Sequence, residues 1–120
     1  KQEQIISIKG RKFFIKNFFE GFARFDFNDL CNKNIGAEDY IKILEVCEHI
    51  LIENLPNFDD NNSNQQQRFI TLIDIIYEKK VSLTISSVVN LNKLTSAKSL
   101  SEPFKRTISR LYELTSISSA

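Results

Sequence analysis

Apolar residues along this chain change period several times, and each change predicts an element. In R-F-I-T-L-I-D-I-I-Y-E, Phe69, Leu72, Ile73, Ile76 and Tyr77 fall at i, i+3, i+4, i+7 and i+8. That spacing predicts a helix over residues 64–79 with one buried stripe. Directly after it Val81, Leu83 and Ile85 alternate with other residues, the rhythm of a strand over 81–87. Before it, Ile50-Leu51-Ile52 is continuously apolar, which predicts a central strand over 50–55 covered on both faces. Strand, helix, strand in that order predicts adjacent parallel strands joined by a right-handed crossover.

The flanks carry weaker patterns. Residues 4–27 are expected to be strands joined by turns, with Ile6 and Ile8 alternating, a tight turn at Gly10-Arg11, and then Phe13 and Ile15. Beyond Asn17–Gly21, Ala23, Phe25 and Phe27 fall on one side of a further strand. Gly36 is placed to cap a helix that has Asp39 in its first turn and Tyr40, Leu44 and Cys47 on its apolar face. The tract D-D-N-N-S-N-Q-Q-Q (59–67) is expected to be an exposed loop, with Ser63 and Gln66 forming a capping box at the next helix start. Residues 90–102 are polar and mostly irregular, with a short helical turn around Leu91–Leu94. Pro103 then suits the first turn of a last helix whose apolar face is Phe104, Ile108, Leu111, Tyr112 and Thr115. The whole predicts an α/β fold: a small mixed sheet with N-terminal antiparallel strands, a parallel βαβ unit, and helices packed on the sheet.

Composition narrows the classes. At 120 residues and 42% hydrophobic, the chain suits a single domain with one core. Its 16 basic and 15 acidic residues leave a net charge of +1, so no whole-domain field attracts nucleic acid. Ten phenylalanines raise the idea of base stacking, but the nearby basic residues are loosely grouped, and core packing is the simpler expectation. Cys31 and Cys47 have neither metal spacing nor disulfide density, which points to a reducing compartment. No apolar run approaches the roughly 20 residues of a membrane span. The chain starts at Lys1 and contains no methionine, so it is expected to be part of a longer protein.

Candidate chemistry is sparse. A phosphate loop needs G-x-x-x-x-G-K-[ST], so that backbone N–H groups and a lysine surround the phosphates; the three glycines, Gly10, Gly21 and Gly36, supply none. A buried strand ending in Asp-Glu would hold magnesium and activate water. Here that strand ends in Glu53-Asn54, and an amide takes no proton from water at neutral pH. Ser86-Ser87 ends the neighbouring strand. The layout is that of a nucleotide-hydrolysing half-core without its working parts, or of an ordinary βαβ unit. His49 is the single histidine, so triads and histidine-rich metal sites have little to draw on. Asp26 with Asp29, and Glu38 with Asp39, are close in sequence, but nothing aims them at one cleft. Arg68 opens a helix, and Arg106 and Arg110 share a stripe four residues apart with Glu113 beyond. Pairing with Glu102 and Glu113 would make the last two structural, whereas an exposed pair can reach a phosphate in cis or across a subunit boundary.

The blocks F-D-F-N-D-L-C (25–31), I-G-A-E-D-Y (35–40), N-L-P (54–56), R-F-I-T-L-I-D-I-I-Y-E (68–78) and F-K-R-T-I-S-R-L-Y-E-L (104–114) occur in that order. Together they resemble the C-terminal region of the ZapE-like, AFG-type family of AAA+ P-loop ATPases, at comparable spacing from Gly10-Arg11 to Glu113. Two departures are mild: Gln67 replaces the first of a usual arginine pair, and Leu114 replaces a methionine. The resemblance implies that residues 1–120 are one domain, with the ATP- and magnesium-binding motifs upstream of it and no cofactor of its own. It implies contacts with the upstream ATPase domain, with neighbouring subunits of a homo-oligomer, or with a protein client. For bacteria that client would be a division-ring protein, with the ATPase in the cytoplasm or peripheral at the inner membrane; the mitochondrial members act in protein quality control. By matching motif positions, Arg68, Asp74, Arg106, Ser109 and Arg110 are the polar residues implied to be functional. A free-standing protein-interaction module with no link to nucleotide is the competing reading.

Overall fold

The computed structural model describes the backbone of residues 2–8 and 11–115, and the side chains of 15 and 17–115. Five strands form one mixed sheet in sequence order: β1 (Gln2–Ile8), β2 (Arg11–Phe19), β3 (Phe22–Asp26), β4 (His49–Leu55) and β5 (Ser82–Ser87). The pairs β1–β2 and β2–β3 are antiparallel, and β3–β4 and β4–β5 are parallel. The expected α/β class and the parallel βαβ unit are both present, with α3 (Ser63–Lys79) as its connection. Gly10 of the expected first turn lies outside the described residues, while Arg11 begins β2.

The second turn is tighter than the sequence pattern suggests. β2 continues to Phe19, which pairs with Phe22, and only Glu20 and Gly21 turn the chain, with φ of 48° and 87°. Two consecutive positive φ values match the right-handed twist of a hairpin, and glycine adopts them without a Cβ penalty. A Cβ on Gly21 would also meet Cγ of Glu48 at 3.1 Å. Within β2, the three steps from Ile15 to Phe18 span the stretch that two steps of β1 span, from Gln4 to Gln2. This bulge brings Ile15 and Phe18 to the same side, which simple alternation does not.

Phe27 does not extend β3. Asp26 ends the strand as the N-cap of the short helix α1 (Phe27–Cys31): its carboxylate accepts from Asn28 N at 3.0 Å, and Asp29 accepts from Asp26 N at 3.2 Å. The reciprocal pair satisfies donors that the helix start leaves open. Helix α2 (Ala37–Glu45) starts at Gly36 as expected, with Gly36 N donating to Asp39 at 2.7 Å. The Ser63–Gln66 capping box is not formed. Asp59 and Asn62 make the reciprocal cap on a preceding 3₁₀ turn, and Gln66 is buried, where it donates to Ser96 Oγ and accepts from Ala97 N. The last helix, α4 (Ser101–Thr115), buries Phe104, Thr107 and Leu111, while Tyr112 is exposed instead of facing the core.

Strand β4 corrects a further expectation. Ile50, Ile52 and Leu55 are buried, but Leu51 is only half-buried, so one face is covered and not both. The cause is topological. Strands β3, β4 and β5 are neighbours in sequence order, so successive crossovers of one hand put their helices on the same side. On that side Phe58 packs within 6 Å of the rings of Phe27, Phe69 and Phe104. These phenylalanines are core, as the composition argument expected.

Candidate functional site

Three of the matched polar positions, Asp74 on α3 and Arg106 and Arg110 on α4, converge at one place. The apolar stripe of α3 turns Phe69, Leu72, Ile73 and Ile76 inward, which leaves Asp74 and Tyr77 at the boundary facing α4. Phe104, Thr107 and Leu111 fix the rotation of α4, and Arg106 and Arg110 then flank that boundary. Arg110 Nη1 donates to Asp74 Oδ1 at 2.6 Å, and Arg106 Nη2 donates to the other oxygen, Oδ2, at 3.3 Å. The guanidinium of Arg110 also lies 4.5 Å from the centre of the Tyr77 ring. The hydroxyl of Tyr77 donates to both oxygens of Glu113, at 2.9 and 3.0 Å. That hydrogen bond holds the Tyr77 phenol above its ordinary range.

The two arginines are therefore not paired with Glu102 and Glu113, as the structural alternative had it. Glu102 pairs with Lys105 instead. Nor are the two equivalent. The side chain of Arg110 is 22% exposed and gripped from two sides, whereas that of Arg106 is 57% exposed and makes one long bond. Asp74 and Glu113 balance the two guanidinium charges of the cluster, and of the two arginines the looser Arg106 reaches outward. A fixed guanidinium at a surface suits bidentate recognition of a carboxylate or phosphate. Glu113 belongs to this cluster, and Tyr77, counted in the sequence as core, is a member that periodicity concealed.

The remaining candidates lie elsewhere. Arg68 donates to the carbonyl of Cys31 at 3.3 Å, a cation at the C-terminal end of α1. Ser109 is exposed on α4. At the strand ends, Glu53 pairs with Arg24 at 2.8 Å. Asn54 has φ of 63° at the irregularity between β4 and β5, and its amide donates to Asp26 at 2.6 Å. Asp26 thus spends one oxygen on Asn54 and the other on the α1 cap. Ser87 Oγ donates to Leu55 O. This edge is braced by its own hydrogen bonds.

Cys31 and Cys47 are free and buried, and among the described residues no helix is long and apolar enough to cross a membrane. The profile of the family described as AFG1-like ATPase matches residues 1–119. Over 91 residues the chain is 29% identical to lactation elevated protein 1 homolog B of Danio rerio, covering 76% of this chain and 18% of that protein. Over 90 residues it is 30% identical to cell division protein ZapE of Escherichia coli K12, covering 75% of this chain and 24% of that one. The chain thus spans about a quarter or less of the length of these relatives. No solved structure matches. With a family profile covering nearly its whole length, the chain belongs to the AFG1-like ATPase family.

Proposed function

We propose that this chain is the C-terminal accessory domain of an AFG1-like ATPase, and that it acts through Arg106 on the ATPase core or a neighbouring subunit. In this reading ATP and magnesium are bound by another part of the parent protein. The observation that carries it is the unequal grip of Asp74. Arg110 is clamped as a strut between α3 and α4, and Arg106 is oriented by the same carboxylate but left largely in solvent. A surface salt bridge of that kind contributes little to stability, about 0–1 kcal/mol, so stability alone gives no reason for the second arginine. The bacterial relative is named a cell division protein, which motivates a client at the division ring and a cytoplasmic setting.

The test uses the parent polypeptide. Arg106→Ala is expected to slow ATP turnover at least roughly tenfold, the lower end of what losing a positioned transition-state charge costs. The melting temperature of residues 1–120 should change little. Arg110→Ala should lower that melting temperature, since it removes a charge-assisted hydrogen bond and a ring contact together, on the order of 1–2 kcal/mol. Unchanged turnover in Arg106→Ala would remove the site assignment.

A further inference from the structure

The face of the sheet opposite the helices is a finished surface of a particular kind. Parallel register aligns Phe22, His49 and Ser82 in one row and Arg24, Leu51 and Thr84 in the next, all pointing away from the helices. Phe19 and Phe22 are 56% and 43% exposed, and Leu51 is half-buried beside them. The ring of His49 stacks on Phe22 with centroids 4.9 Å apart, and His49 Nε2 lies 2.9 Å from Thr84 Oγ1. Phe18, Phe19, Phe22, Asn17 and Arg24 line a hollow of about 180 Å³ at one corner. Arg24 is neutralised by Glu53 at 2.8 Å.

From these observations we infer that this outer face receives a helix from the remainder of the parent ATPase polypeptide, apolar side inward. The inference rests on the reading of the chain as one part of a longer ATPase, and it names the surface that joins the parts. All-parallel sheets occur almost only with both faces covered; in this mixed sheet the parallel part, β3, β4 and β5, has helices on one face only among the described residues. The missing layer has a source: the chain spans at most 24% of the relatives' lengths. The chemistry selects the occupant. With Arg24 tied to Glu53, no free positive charge is left on this face among the described side chains for a nucleic-acid backbone. A second sheet would need apolar residues across every strand, yet Ser82, Thr84 and Ser86 make the β5 side polar. The apolar part, Phe19, Phe22 and Leu51 with the stacked histidine, is a band about as wide as one helix, roughly 10 Å, with a polar rim.

The experiment is thiol labelling of Leu51→Cys, with Ser82→Cys as a second reporter in case the central substitution disturbs packing. Native Cys31 and Cys47 are buried and react slowly as a background. In residues 1–120 alone both introduced thiols should label rapidly. In the monomeric parent polypeptide, labelling of Leu51→Cys should slow at least about tenfold. Equal rates in the two proteins would overturn the inference, as would protection that appears only on self-association or on adding RNA. ATP turnover of the Arg106→Ala parent is read separately. Protection at Leu51→Cys with turnover unchanged would retain this surface and remove the arginine assignment, and the reverse pair of results would do the opposite.

Discussion

The two faces of the sheet are written by the same strands with the same alternation, and they differ in everything else. Toward the helices, Ala23, Ile50 and Leu83 make one row and Phe25, Ile52 and Ile85 the next, nearly all of them buried. Toward the outside, the corresponding rows carry Phe22, His49, Arg24, Leu51 and Thr84 with partial exposure. Alternation identifies two faces but is silent about which is covered. The order of connections decides that, because crossovers of one hand along strands in sequence order stack all helices on one side. Under the inference above, the apolar band on the outer face is what calls for a neighbour from outside residues 1–120.

The largest expected effects lie under the helices. Ile73 is fully buried against the core, and Ile73→Asp would place an unpaired charge there at a cost of several kcal/mol. The variant should be unfolded or nearly so by circular dichroism at ambient temperature; melting within a degree or two of the parent would refute the register of α3. Phe58, which links the rings of Phe27, Phe69 and Phe104, comes next. Phe58→Ala should cost about 3–5 kcal/mol in urea unfolding, the range for truncating a buried phenylalanine.

The covered side also shelters a titratable group. Burial at the end of α1 pushes the Cys31 thiol from 9.0 up to about 12. Because the folded pKa is raised, the neutral thiol contributes fully below pH 9, and that contribution is lost as pH rises from 9 towards 12, where the unfolded chain ionises first. By pH 10 the loss should be on the order of 1 kcal/mol. Unfolding free energies measured from pH 8 to 10.5 should therefore fall less steeply in Cys31→Ala than in the parent chain. Parallel slopes would show that the thiol is reached by solvent.

How much of this was legible in the sequence follows the physics of each signal. The α3 stripe and the strands around it were legible because periodicity and burial coincide over many residues. The end of β3 at Asp26 was hidden, because an aspartate capping box looks like two stray acids until the backbone turns. By local pattern Gln66 looks like the capping partner of Ser63, since nothing local announces that its buried amide holds residues 96 and 97. Motif positions single out both the arginines and Asp74, but not that they pair. Asp74 lies more than thirty residues away in sequence, and only the packing of α3 on α4 brings it to them.

The smallest expected effect sharpens the comparison most, because it uses the same residue type on the other face. Phe19 is 56% exposed, and beyond the hollow that it lines with Phe18 and Phe22 nothing described in this chain covers it. Surface substitutions away from caps and cores usually change stability by no more than about 0.5 kcal/mol. Phe19→Ser in residues 1–120 is therefore expected to unfold in urea within that margin of the parent chain, against several kcal/mol for Phe58→Ala. In the parent polypeptide the same substitution should cost more, since a helix lying on Phe22 and Leu51 would reach Phe19 at the corner hollow and bury it. A large loss in the isolated chain would mean that residues 1–120 cover this face themselves. The two faces would then differ in degree only, and the outer one would no longer call for a partner.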